Sequence, residues 1–143
     1  MKTKIILLLA VTIQISPCLA EDTRVKVQMP EKMINHMLAN MRDHLVALEE
    51  ITRYLANEEY EKAAETAEHR LGMSSLEKHG ASHMAKFMPQ EMAAIGTSMH
   101  QAASRFARVS LNAELEGGLG EAFNALSDVM QQCVACHSSF KVH

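Results

Sequence analysis

Residues 30–57 read PEKMINHMLANMRDHLVALEEITRYLAN, and Ile34, Met37, Met41, Leu45, Leu48, Thr52 and Leu55 form a seam repeating every three or four residues. That spacing is the period of an amphipathic helix with one face turned to a core. Pro30 suits the first turn of such a helix, and the pattern stops near Asn57. Outward from this stretch the same period returns. A second, Ala-rich helix is expected to begin at Glu58 or Glu59, where the helix dipole favours acidic residues. It runs through Tyr60, Ala63, Ala64 and Ala67 to Leu71, with Gly72 as its stop. Pro89 opens a third, with Met92, Ile95, Met99, Ala102 or Ala103, Phe106 and Val109 on its buried stripe, ending near Leu111. Glycines 117, 118 and 120 favour a break. Phe123, Leu126, Val129 or Met130, Cys133 and His137 then line one face of a last helix.

Residues 73–88 fit no single helix; Ser74 and Glu77 have the spacing of a capping box, and Gly80 ends it, so an ordered connector is expected. No stretch shows the alternation of a strand. Four amphipathic helices joined by mostly short connections predict an all-α protein, an antiparallel up-down-up-down four-helix bundle.

The chain opens with Lys2 and Lys4, an apolar run from Ile5 to Val11, and the small residues Cys18 and Ala20 before Glu21. This is the pattern of a signal peptide over residues 1–20, cleaved after Ala20. An exported, periplasmic protein is therefore expected, with residues 21–143 forming one domain. Pro17 beside Cys18 argues against lipid modification there. No transmembrane segment is expected, since the apolar run falls short of the roughly 20 residues that a spanning helix needs. Removing Lys2 and Lys4 leaves 12 basic residues against 17 acidic ones, a formal charge of −5 that disfavours nucleic acid as a partner. Glu58, Glu59, Glu61, Glu65 and Glu68 form a solvated acidic face or a dock for a basic redox protein.

Chemistry concentrates at residues 133–137, Cys-Val-Ala-Cys-His. Two thiols on one helical turn can add to the two vinyl groups of a haem while the adjacent imidazole reaches the iron. A disulfide or half of a zinc site would use the same cysteines, but neither needs the following histidine, and no third cysteine remains after residue 20. Cys133 and Cys136 are thus expected to hold one covalent haem c, with His137 as its proximal ligand. Export agrees with this, because the attachment belongs outside the cytoplasm.

This C-terminal motif, followed by Phe140 and Lys141 on the last of four helices, resembles the cytochrome c-prime and cytochrome c-556 group of class II c-type cytochromes, most closely over residues 129–141. The resemblance implies a haem inside a four-helix bundle, a first helix facing the distal side of the iron, and pairing of two bundles through their first helices. Met33, His36, Met37, Met41 and His44 lie in the first three turns of that helix; Met37 and Met41 fall on its seam, with His36 and His44 at the margin. Family spacing selects Met41 as distal ligand, with Met37 second, against the alternative that both are core residues. A thioether on iron predicts electron transfer with redox partner proteins. An open distal side predicts a five-coordinate protein that binds nitric oxide or carbon monoxide.

His79, His83, Met84, Met88 and Met92, with Met99 and His100 beyond, carry the soft donors of copper(I) carriers, so a haem-free copper carrier is the third reading. Met92 and Met99 also fit the third helix's core stripe, and the histidines, His69 and His143 among them, read as solvated. No nucleophile with an ordered base, phosphate-cradling loop or paired carboxylates stands out, so no enzyme is expected.

Overall fold

The structure, a computed structural model, describes residues 21–113 and 118–143; the expected signal peptide and Gly117 lie outside the described residues. Mostly helical, it comprises α1 (Glu31–Ala56), α2 (Tyr60–Arg70), a 3-10 turn (Met73–Ser75), α3 (Ala81–Ala85), α4 (Gln90–Asn112) and α5 (Gly118–Ser139). Two residues at each end of this series, β1 (Val25–Lys26) and β2 (Phe140–Lys141), pair as a short parallel sheet. No strand was expected there, because two residues are too few to show an alternation; the pairing is long-range and leaves no local signal.

The starts and stops follow local chemistry. Pro30 caps α1, and Pro89 caps α4, each presetting the backbone just ahead of the first turn. At the end of α1, Glu58 adopts a left-handed φ of 58°. Its N–H reaches the Leu55 carbonyl while the Glu59 N–H reaches Tyr54. This is a Schellman closure with glutamate in the position glycine favours, so Glu58 ends α1 and Glu59 caps α2. Ser74 does not box with Glu77; its N–H and hydroxyl both donate to Glu68, back on α2.

Packing runs α1 on α2, α2 on α4 and α4 on α5, with α1 and α5 making no comparable contact. Ala63, Ala64 and Ala67 are buried, and their small side chains let α2 sit close between α1 and α4. The main core combines Ala47, Ile51 and Leu55 of α1 with Leu71, Phe106, Leu126 and Val129. Removing such a side chain from water contributes roughly 1.5–3 kcal/mol. A second cluster, Val27, Met37, Met84, Met92 and Phe140, gathers the early part of α1, the start of α4 and the end of α5. The main core thus fills one end of the long helices, and a methionine-rich cluster fills the other.

The seam of α1 is rotated from its expected course. Met37, His44, Ala47, Ile51 and Leu55 face inward, whereas Leu45 is 68% exposed and Thr52 is exposed. On α5 the expected Leu126 is buried and, of the pair Val129 or Met130, Val129 is the buried one; Ala122 joins them, while the expected Phe123 is exposed. Most of the expected α4 stripe is buried, joined by His100 and Ser110.

Candidate functional site

Cys133, Cys136 and His137 sit in the last two turns of α5. Both cysteines are free thiols and half-buried. Cys133 flanks the main core and Cys136 the methionine cluster, so the two thiols straddle the boundary between them. Burial raises the pKa of each thiol above its ordinary value, and for Cys136 the neighbouring Cys133 adds to the effect. Both are therefore neutral thiols near pH 7. The Cys133 thiol points back to the Val129 carbonyl at 3.7 Å.

A cavity of about 270 Å³ opens beside Cys136 and His137, and Met37, Met41, Met92 and Phe140 line it. His137 itself is exposed at the cavity edge. His143 is exposed as expected yet also borders this cavity, while His69 is exposed elsewhere. Met37 is buried and Met41 half-buried, and both α1 methionines face the α5 motif across this space.

The short sheet fastens the motif's end. Val25 pairs with Phe140, and the Val27 N–H donates to the Lys141 carbonyl at 2.8 Å. Asp22 holds both Arg24, at 2.9 Å, and Lys141, at 3.1 Å; these cations, Arg24 first, keep its carboxyl far below the usual carboxylate range. The Arg24 guanidinium in turn donates to the His137 carbonyl at 3.4 Å. The start of the described chain is therefore locked against the end of α5, which brings the first turns of α1 near the motif.

Deeper along the helices lies a group that periodicity misassigned. His44 of α1, His79 of the connector and His100 of α4 are all buried. Their ring centres are 4.8 Å (44–79), 5.5 Å (79–100) and 6.3 Å (44–100) apart. Periodicity puts His44 at the margin of α1 and leaves His79 and His100 either as soft donors of a copper carrier or as solvated side chains; the rotation of α1 and the fold of the connector bring all three inside. Their only trace in the sequence is position: His44 and Ile51 are seven residues apart on one helical face, and His100 follows Met99 on the α4 stripe. His36 remains partly exposed. Its ring and the Asn40 amide both donate to the His79 carbonyl, at 2.9 and 3.1 Å, pinning the connector to α1. Gly80 follows in a left-handed conformation, and a side chain there would meet the His36 ring at 3.1 Å.

The three histidines border a second cavity of about 130 Å³, walled also by Met41, Met84, Met92 and Met99 and sharing Cys136 with the first. Of the other soft-donor residues, Met84 is buried and Met88 partly so, whereas His83 is exposed.

Compared with protein-family models, curated proteins and solved structures, the chain matches none. Among the described residues, no helix is long and apolar enough to cross a membrane.

Proposed function

We propose that this chain is an exported, periplasmic c-type cytochrome of the class II kind, one haem being bonded to Cys133 and Cys136 with His137 on its iron. The single observation that carries the reading is the Cys-Val-Ala-Cys-His motif on α5, whose thiols are unpaired and whose Cys136 and His137 border a thioether-lined cavity. The residues present suit the group. Two neutral thiols one helical turn apart match the two bonds to be made, and the adjacent imidazole is the ordinary proximal donor. α1 and α5 are not closely packed, and a cavity lined by Met37 and Met41 of the one and Cys136 and His137 of the other opens between them. The tight turn that joins α1 to α2, together with the β1–β2 pairing that sets the start of α1 near the end of α5, supports an antiparallel bundle of the four long helices.

Haem supplies a one-electron couple, and the chain's residues tune and insulate it. His137 would hold the iron through its imidazole, and Met41, with Met37 as second choice, lines the same cavity and would supply a thioether to it. Met92 and Phe140 exclude water, which lowers the local dielectric around the site. The acidic residues of α2 offer a docking face for a basic redox partner.

Optical spectra of the purified protein, ferric and ferrous, with and without carbon monoxide, test this. A sharp ferrous α band and a near-infrared thioether charge-transfer band, both unmoved by carbon monoxide, mean methionine ligation and electron transfer. A high-spin spectrum that shifts with carbon monoxide means an open site and gas binding. Absence of covalent haem overturns the reading.

A further inference from the structure

We propose that His44, His79 and His100 form a copper(I) site within the methionine-walled chamber, which borders the haem motif at Cys136 and Met41. The argument begins with hydrogen positions, inferred from the bonding partners. Ser75 has one hydroxyl proton, and it goes to the Gly72 carbonyl at 2.7 Å. Toward His79 Nδ1, 3.3 Å away, the Ser75 oxygen can then only accept, so the proton of that ring sits on Nδ1. His79 Nε2 is left as a bare lone pair, buried and without a partner. His100 repeats the arrangement: its Nδ1 donates to the Leu71 carbonyl at 2.7 Å, which leaves Nε2 as the unprotonated nitrogen. His44 Nε2 is likewise buried with no hydrogen-bond partner.

Buried nitrogens without partners are costly and call for a cause. Tethering one ring nitrogen to a protein oxygen while the other stays free is the way metal-binding histidines are oriented. The spacing agrees. With metal–nitrogen bonds of about 2.0 Å and tetrahedral angles, the ring centres of three ligating imidazoles lie roughly 5 Å apart. The observed separations run from 4.8 to 6.3 Å. As the side chains stand, no group of three among the described residues is set to hold an ion. The 44–100 pair is the widest, so closure asks for ring rotation on the α1 and α4 sides, within a chamber of about 130 Å³.

The walls select the metal. Imidazole alone suits zinc and copper equally, whereas thioethers are ligands for copper(I) and poor ones for zinc. Met41, Met84, Met92 and Met99 provide them here.

The test is an anaerobic copper(I) titration of the full-length protein against a chromogenic chelator. It is repeated on the Cys133→Ser, Cys136→Ser double variant, because Cys136 borders the same chamber. One equivalent retained in the double variant, with X-ray absorption showing imidazole nitrogens at about 2.0 Å, supports the site. His79→Gln and His100→Gln, checked for helical circular dichroism, should each weaken binding by roughly 100-fold or more. Ser75→Ala should weaken it by about 10-fold as an outer partner, and exposed His69→Gln should leave it unchanged. Loss of copper in the cysteine variant, or zinc binding without copper, overturns the proposal. The X-ray absorption result stands even if a histidine variant fails to fold, and loss of haem alone leaves the copper site untouched.

Discussion

Arg70 of α2 reaches Asp43 of α1 with a 2.6 Å ion pair, one residue from the buried His44. Arg70 also holds Glu50 two turns further along, so a single guanidinium clamps the two helices where the histidine chamber begins. The clamp keeps the Asp43 carboxyl below its usual pKa, and both partners are only partly buried, so solvent screening limits its worth. Arg70→Ala should lower stability by about 1 kcal/mol in urea denaturation. Asp43's folded pKa is depressed, so its contribution is present above its unfolded value, about 4, and is lost as pH falls through the folded one. The Arg70→Ala defect should therefore shrink below about pH 4.

The rotated seam of α1 makes a paired forecast. Leu55→Ala, at a fully buried position, should cost about 2–5 kcal/mol, while Leu45→Ala should change stability by about 0.5 kcal/mol or less. Equal costs in chemical denaturation would return Leu45 to the core.

Glu58 holds a left-handed conformation without the freedom of glycine. Glu58→Gly should raise stability by about 0.5–1 kcal/mol, read as a higher melting temperature, because relief of the side-chain clash outweighs the added freedom of the unfolded chain.

Burial, with neighbouring His79 and His100, pushes His44 down to about 4, and both of those rings are also lowered by burial. The unfolded chain binds protons more readily than the folded one in this range. In chelator-treated protein, stability should be full above about pH 6.5 and fall as pH drops toward 4, His44 alone accounting for on the order of 3 kcal/mol. His44→Leu should flatten that slope.

Cys133→Ala with Cys136→Ala should abolish haem staining on a denaturing gel. His137→Ala should keep covalent haem but shift the Soret band and the reduction potential. Met41→Ala should remove the near-infrared thioether band and admit carbon monoxide; the same result from Met37→Ala alone would reassign the distal donor.

The boundaries of the long helices and the Cys-Val-Ala-Cys-His motif were legible in the sequence because both are local. Prolines at 30 and 89, the alanines of α2 and the stop at Gly72 act through backbone geometry within a turn or two. Which face of α1 turns inward was not legible. One residue's shift rotates a helix face by about 100°, and Leu45 carries as strong an apolar signal as Ile51. Packing against α2 decided it, by burying Ala47 and Ile51 in the main core and turning His44 inward on the same face. The meeting of His44, His79 and His100 is likewise tertiary. They come from three separate segments, and only the hold of His36 and Asn40 on the His79 carbonyl, with Leu71 and Ser75 fixing the rings, brings them together. The β1–β2 pairing joins the two ends of the described chain, a contact that local sequence does not encode.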